Sequence, residues 1–290
     1  MLFGKKKKQP EPVRQEHTQK TERKVPQLCT YLYTHMGNRQ YQQDSVYVSA
    51  SKILAANKKT RVLAVVCDGM GGMADGGRAA QTGTQILRED FQRIEKEEEV
   101  NIPLFLENEV RKIDQVIAGF PQENGTGSGS TVVAAVAEDD DLYWVSVGDS
   151  RIYVLKDGSL NQITTDHNYL YRLSQMVANG EMTIEEARRQ PQKEALISFL
   201  GIGGLELIDI SPAPMKLFPG DAVLLCSDGI TKTLTDEQIQ EIMNSPTSSM
   251  TKKAETLVLA AVRGNPHSQD NTSAAVIQYD MKTISSRRTL

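Results

Sequence analysis

The sequence has few cysteines and no pattern that would pair them or place them around a metal. Cys29, Cys67 and Cys226 lie far apart and show no C-x-x-C spacing. Two of them stand inside the apolar runs VLAVVCD and AVLLCSD, which is typical of buried strand residues. We therefore expect three free thiols, and we exclude a disulfide framework and a cysteine zinc site.

Long apolar runs and a strong charge of one sign are absent as well. No stretch approaches the roughly 20 apolar residues of a membrane-spanning helix, and the start, MLFGKKKKQPEP, lacks the apolar centre of a signal peptide. We therefore expect a cytoplasmic protein without a transmembrane segment. A formal net charge of -4 gives no overall attraction to nucleic acid, so we expect no nucleic-acid partner.

Both ends of the chain are polar. Residues 1–26 are charged, contain proline and show no hydrophobic period, which predicts a disordered basic tail. Residues 281–290 predict a frayed C-terminal end. The length of 290 residues allows one large domain or two small ones, and we place a single domain at 27–280.

Short apolar strands and pairs of helices alternate within residues 27–280. Helices are predicted near 79–97, 103–117, 236–243 and 252–262, and Thr183 and Glu186 have the spacing of a capping box. The strands STVVAAVAE, LYWVSVG and RIYVLKDG, joined by short turns, predict an antiparallel meander. This order is a poor fit to a regular βαβ repeat and favours an α+β fold, with sheets at the centre and helices outside.

Five aspartates stand at strand ends, most of them beside a glycine or a small polar residue. They are Asp68 in VVCDGMGG, Asp149 in VSVGDSR, Asp228 in LLCSDG, Asp270 in SQDNTSAAVI and Asp44 in QQDSVYV. Open carboxylates of this kind suit Mg²⁺ or Mn²⁺, and without a cation they would push one another toward protonation. Each alone is also explained as a turn or a cap residue. The prediction of a metal site depends on all five together.

Seven segments in order resemble the metal-dependent protein phosphatases, the phosphatase 2C type of the PPM family, and the DGMGG loop resembles its bacterial branch. The segments are GNRQYQQDS, VVCDGMGG, GSGSTVVAAV, VSVGDSRIYVL, TTDHNYLYRL, GDAVLLCSDGI and SQDNTSAAVI. The resemblance runs from about residue 30 to 279. The resemblance implies a four-layer αββα sandwich, in which two antiparallel sheets are flanked by pairs of helices.

The resemblance also implies a role for each acidic position. Asp68 would bridge two ions, Mg²⁺ or Mn²⁺, about 3.5–4 Å apart. The carbonyl of Gly69 would add to one ion, and Asp228 and Asp270 would complete the shell of the other. Asp149, together with Asp228, would hold a third and weaker ion.

Asp44 would act mainly through bound water. Arg39, five residues before it, stands where the family places a phosphate-binding arginine, whose guanidinium forks onto two phosphoryl oxygens. With Arg39 and Asp68 as the catalytic residues, water between the ions would attack phosphorus in line. The implied activity is hydrolysis of phosphoserine and phosphothreonine. The partners would be phosphorylated proteins, including a Ser/Thr kinase that the enzyme opposes and the substrates of that kinase, and we expect a monomer.

Several positions depart from the family pattern. Gln43 stands where a glutamate is common, and Met70 stands where many eukaryotic members have a histidine proposed as general acid, so we assign no general acid. His167 in TTDH is interpreted as structural. Residues 168–200 correspond to the flap beside the site, where Ser198 takes the place of a usual arginine, and the sequence does not predict substrate preference there.

Three alternatives compete with a general protein phosphatase. The GTGSGS segment lacks the G-x-x-x-x-G-K-[ST] pattern and precedes a strand, which argues against a nucleotide site. A non-catalytic module that recognises phosphoproteins would be favoured by loss of a core ligand, whereas Asp68, Asp228 and Asp270 are all present. An enzyme with one dedicated substrate, such as a phosphorylated sigma-factor regulator, would keep the same chemistry.

Overall fold

The computed structural model of the chain describes residues 18–53, 59–70, 75–95, 97–122, 127–246 and 249–289. The described residues divide into two compact units, one formed by 18–25 with 281–289 and the other lying within Pro26–Asp280. All the site residues predicted from the sequence lie in the second unit. None of the described helices combines the length and apolar character needed to cross a membrane.

The described strands form two sheets with antiparallel neighbours. In spatial order, the strands of the first sheet are Thr18–His35 (β1), Thr272–Thr289 (β12), Ala222–Cys226 (β11), Arg151–Lys156 (β7) and Ser159–Gln162 (β8). Those of the second sheet are Met215–Lys216 (β10), Asp141–Val147 (β6), Val132–Glu138 (β5), Thr60–Asp68 (β4) and Asp44–Val48 (β2), with Lys52–Ile53 (β3) beside β4 and Asp209–Ile210 (β9) beside β6. In β4 every residue before Asp68 is buried, as a continuous apolar run predicts for a central strand.

Helices cover the outer face of each sheet. Their bounds are Gly76–Ile94 (α1), Ile102–Ala118 (α2), Tyr169–Ala178 (α3), Ile184–Arg188 (α4), Asp228–Thr231 (α5), Asp236–Asn244 (α6) and Met250–Gly264 (α7). Phe91 of α1 and Ile113 of α2 pack in one core with Leu63 of β4. Leu257 of α7 packs with Leu224 of β11 in a second core.

The two sheets meet where β11 contacts β4 and β5. The layers therefore run helix, sheet, sheet, helix, and the predicted αββα fold is confirmed. The capping box of α4 is confirmed too, because Thr183 Oγ1 accepts from the backbone N–H of Glu186 while the Glu186 carboxylate accepts from the N–H of Thr183. The helix predicted from residue 79 begins earlier, at Gly76, since Asp75 caps its first turn.

The predicted meander is wrong at its second connection. β5 pairs with β6, but β7 pairs with β11 and β8 in the other sheet. The chain changes sheets at Gly148, whose φ of +104° lies in the region that favours glycine. The turn that makes this change carries Asp149, so the crossing places that carboxylate between the sheets' ends.

The ends of the chain also differ from the expected pattern. β1 begins at Thr18, inside the predicted tail, and β12 continues to Thr289, inside the predicted frayed end. These two strands are neighbours in the first sheet, and backbone pairing between polar strands leaves no hydrophobic period in the sequence. Residues 1–17, which include the lysine run, and part of the predicted ENGTGSGS loop lie outside the described residues.

Candidate metal centre

One cavity gathers the ends of strands from both sheets. Asp68 ends β4, Asp149 follows β6, Asp228 follows β11 and Asp270 precedes β12. The cavity has a volume of about 240 Å³, and its lining includes Arg39, Gln43, Asp68, Gly69, Asp149, Asp228, Lys232 and Asp270. Four of the five predicted aspartates therefore face one space.

Asp44, the fifth aspartate, lies behind the cavity and is only 7% exposed. Ser227 Oγ donates to its Oδ2 at 2.8 Å, while its Oδ1 has no hydrogen-bond partner among the described residues. Burial raises the pKa of Asp44 to about 7. The nearby hydroxyls of Ser273 and Ser227 oppose this rise, and repulsion from Asp228 and Asp270 adds to it. A buried carboxylate oxygen without a donor is costly unless a cation comes close to it.

Two further carboxylates hold their protons more tightly than exposed aspartates do. Burial raises the pKa of Asp68 well above its usual range, and the charges of Asp44, Asp228 and Asp149 raise it further. Burial, followed by repulsion from Asp228, raises the pKa of Asp149 to about 6, while Lys232 lowers it. Like charges packed this closely favour any cation that can be shared between them.

Two cations of the chain reach into this acidic group. Arg39 donates from a guanidinium N–H to Asp270 Oδ2 at 2.7 Å, and Lys232 Nζ forms an ion pair with Asp228 Oδ2. No three histidine, cysteine, aspartate or glutamate side chains of the described residues are already arranged around one point to hold a metal ion. The predicted ligands thus share one cavity without converging on one point, and two of them are paired with protein cations.

The backbone at Gly69 is packed too closely for any side chain. A Cβ there would lie 2.3 Å from the carbonyl oxygen of Gly76 and 2.8 Å from that of Gln43. The N–H of Gly69 donates to the same Gln43 oxygen at 3.2 Å. This close approach joins the residue after Asp68 to the segment that carries Asp44.

The residues present fit divalent cations. The side-chain donors are carboxylate oxygens, which Mg²⁺ and Mn²⁺ prefer. The orphaned Asp44 Oδ1 and the raised pKa of Asp68 and of Asp149 indicate a site whose charge is not balanced by protein groups alone. Protein cations contact only Asp228 and Asp270 among the five aspartates of the described chain.

Several residues that position the site were missed from the sequence. Asn271 donates to the carbonyl oxygens of Met36 and Tyr41 and accepts from the N–H of Gln43, which fixes the segment bearing Arg39. Ser227 and Asn271 each stand next to a predicted ligand, so adjacency was a usable signal. Lys232 lies four residues after Asp228, which is the spacing of neighbours on a helix.

Of the other residues singled out from the sequence, Met70 lines the cavity, whereas His167 and Ser198 do not. His167 is buried, its backbone N–H donates to Gly148 O at 2.8 Å and its Nδ1 accepts from Gly148 N at 3.3 Å. It therefore braces the turn that carries Asp149, in keeping with a structural role. Ser198 is buried and donates to Leu207 O. From the flap, Glu194 and Leu196 line the cavity.

The fold and the acidic cavity define a class of proteins that bind divalent cations through carboxylates at the ends of a two-sheet sandwich. The family model for protein phosphatase 2C matches residues 33–262, and the chain belongs to this family.

Relatives with the same fold are bacterial phosphatases. The chain is 28% identical over 231 residues to the serine/threonine phosphatase Stp of Listeria welshimeri, covering 78% of this chain and 87% of that protein. It is 30% identical over 229 residues to the protein phosphatase PhpP of Streptococcus pneumoniae, with coverage of 77% and 88%. The solved catalytic domain of the phosphatase PstP, in complex with two manganese ions, aligns with a TM-score of 0.67 at 29% identity, covering 88% of this chain and 100% of that domain.

Proposed function

We propose that this protein is a metal-dependent serine/threonine phosphatase that hydrolyses phosphoserine and phosphothreonine in other proteins. The observation that carries the proposal is the single cavity in which Asp68, Asp228 and Asp270 meet beside Arg39. A carboxylate group suited to divalent ions and an adjacent guanidinium together match the needs of phosphoryl transfer, in which catalysis is mostly positioning and charge stabilisation.

The proposed ligands of two divalent ions are Asp44, Asp68, the carbonyl of Gly69, Asp228 and Asp270. Mg²⁺ or Mn²⁺ bound there would supply Lewis-acid activation of water and would neutralise phosphoryl charge. The manganese ions of the PstP structure support a divalent metal. After burial, the charges of Asp44 and Asp228 raise the pKa of Asp68, which supports a cation shared among these three carboxylates.

Arg39 is the proposed phosphate-binding residue. Half of its side chain is exposed and one N–H is fixed on Asp270, so the outer part of the guanidinium is free to approach phosphoryl oxygens from solvent. Asp270 thereby orients Arg39 toward the cavity. No histidine lines the cavity in the described part of the chain, and we assign no side chain as general acid.

The proposed partners are phosphorylated proteins, including a Ser/Thr kinase and the substrates of that kinase. The names of the bacterial relatives support this class of substrate. The third ion implied at Asp149 and Asp228 would have to share that place with Lys232, whose ammonium is paired with Asp228.

The test is hydrolysis of a phosphothreonine peptide with Mn²⁺, with Mg²⁺ and with chelator, using wild type beside Asp228→Asn. Asp157→Asn is the control, because Asp157 is an exposed aspartate in the turn between β7 and β8. We expect metal-dependent turnover in wild type and in the control, and a loss of about 100-fold or more in Asp228→Asn. Metal binding without turnover on several phosphopeptides would overturn the enzyme and favour a non-catalytic phosphoprotein-binding module.

A further inference from the structure

Lys232 provides a positive charge inside the acidic cavity. It follows the short helix α5 that begins at Asp228, and its backbone N–H donates to Asp228 O at 2.8 Å. Its Nζ forms an ion pair with Oδ2 of the same aspartate. Because both the backbone and the side chain of Lys232 engage Asp228, the ammonium is directed into the cavity that it lines.

The charge of Lys232 acts on more than one carboxylate. Partial burial disfavours the ammonium, but attraction to Asp228, Asp149 and Asp68 outweighs it and raises the pKa of Lys232. In return, Lys232 lowers the pKa of Asp149 against the effects of burial and of Asp228. Lys232 pairs with Asp228 and lines the same cavity as Asp149, so the ammonium lies in the space that the resemblance assigns to a third ion.

The other cation of the cavity acts elsewhere. Arg39 forms an ion pair with Asp270, whereas Lys232 forms one with Asp228. The two protein cations therefore contact different aspartates. Among the residues that line the cavity, Lys232 is the cation that contacts Asp228. A divalent ion placed between Asp149 and Asp228 would meet the Lys232 ammonium at short range, and the two cations would repel each other beside Asp228, whose side chain is largely buried.

We propose that the Lys232 ammonium takes the place of the third ion at Asp149 and Asp228, so that this enzyme works with two divalent ions and one fixed lysine. The inference rests on the proposed function for the two-ion core and goes beyond it. Asp149 and Asp228 fit a third ion poorly in this chain, because the Lys232 ammonium already pairs with Asp228 in the cavity that all three line. Lys232 is thus a positioning residue for Asp228.

The number of bound ions tests this inference directly. Free Mn²⁺ is followed by electron paramagnetic resonance while the full chain is titrated with Mn²⁺. Wild type should bind about two equivalents. Lys232→Asp, which adds an oxygen donor where the ammonium stood, should bind about one further and weaker equivalent. Adding Asp149→Asn to Lys232→Asp should abolish that extra equivalent.

Two additional variants keep the test decisive. Lys232→Met removes the charge at similar length and should also gain a weak equivalent, which covers the case in which Lys232→Asp does not fold. Lys252→Met is the matched control: Lys252 is 61% exposed against 56% for Lys232, and it pairs with Glu255 on α7, away from the cavity. The control should bind the same number of ions as wild type.

The results that overturn the inference are distinct from those that overturn the proposed function. Three equivalents in wild type, or no gain in either Lys232 variant, would overturn the inference. Hydrolysis of the phosphothreonine peptide is measured on the same samples. Turnover by a wild type that binds three equivalents would refute the role of Lys232 alone, whereas two equivalents without turnover would refute the phosphatase activity alone.

Discussion

Asp44 of β2 and Asp68 of β4 are register partners on neighbouring antiparallel strands. Like charges at directly opposed positions destabilise a sheet, and here one of the two is almost fully buried. Ser227 donates to Asp44 Oδ2, yet Asp44 Oδ1 is unpaired among the described residues. The pairing of Asp44 with Asp68 therefore destabilises the metal-free sheet, and a cation bound beside both carboxylates would remove that cost.

The first prediction concerns this pair in the metal-free chain. Burial raises the folded pKa of Asp44 to about 7, above its unfolded value of about 3.9. The folded chain therefore binds more protons between these values, and the charged form of Asp44 destabilises it as pH rises through that window. In chelator at about pH 8, Asp44→Asn should raise the Tm by roughly 5 °C, and the gain should shrink toward about pH 4.

The same variant should bind Mn²⁺ more weakly, because the amide keeps an oxygen but removes a negative charge beside the proposed ions. Calorimetric melting across pH, with and without Mn²⁺, measures both effects. Asp157→Asn should change neither, since Asp157 is exposed in a turn. A lower Tm for metal-free Asp44→Asn at about pH 8 would contradict the prediction.

The second prediction compares alanine substitutions at two glycines, Gly69 and Gly77, that differ in how closely they are packed. In Gly69→Ala the new Cβ would lie 2.3 Å from Gly76 O, so backbone must shift. In Gly77→Ala the nearest atoms are 3.7 Å away, and alanine favours the helix by about 0.5–1 kcal/mol. We expect Gly69→Ala to weaken Mn²⁺ binding and to lower the Tm by roughly 5 °C or more, while Gly77→Ala keeps Mn²⁺ binding and raises the Tm slightly. Equal behaviour of the two variants would show that the close approach at Gly69 is unimportant.

The third prediction separates phosphate binding from metal binding. Arg39→Ala should lower kcat/KM on a phosphothreonine peptide by about 10–1000-fold, because it removes a charge-assisted donor to the phosphoryl group. The number of bound Mn²⁺ ions should not change, since a guanidinium is not a ligand. Arg93→Ala is the control: Arg93 is also an exposed arginine paired with an aspartate, Asp90, but it lies on α1. Loss of an ion in Arg39→Ala would instead make Arg39 a structural support for Asp270.

The aspartates could be located from the sequence because their signal is local. An apolar run that ends in aspartate and glycine indicates where the strand ends, and it also indicates that the aspartate side chain lies at that end. The four-layer arrangement followed from the order of strand runs and helix pairs, together with the family resemblance. Thr183 and Glu186 were found in the same way, since a capping box is contained in four residues.

Non-local features were not predictable in this way. The strands on either side of Gly148 have the pattern of a hairpin, and which sheet the second strand joins depends on pairing with β11, about 70 residues further along. Lys232 shows the i, i+4 spacing to Asp228, but that spacing has meaning only once α5 is known. The polar parts of β1 and β12 pair through the backbone, for which side-chain periodicity gives no signal.

The fourth prediction concerns His167, which holds the turn that carries Asp149. Its Nδ1 accepts from the N–H of Gly148, which requires a neutral ring. Burial lowers the pKa of His167, although Asp209 and Asp166 oppose this. The unfolded chain, with a histidine pKa of about 6.5, therefore binds more protons near that pH, and the stability contributed by His167 is present above it and lost as pH falls.

His167→Gln keeps an acceptor and removes the titration. Because the raised pKa of Asp149 gives the opposite slope, the quantity to measure is the difference in Tm between wild type and variant, with Mn²⁺ present. Wild type should be more stable by a few degrees at about pH 8, and the difference should shrink toward about pH 5. His267→Gln, at an exposed histidine, should show no such trend. A difference that stays constant across this range would mean that folding leaves the pKa of the His167 ring unchanged, so that protonation of the ring has no effect on the Asp149 turn.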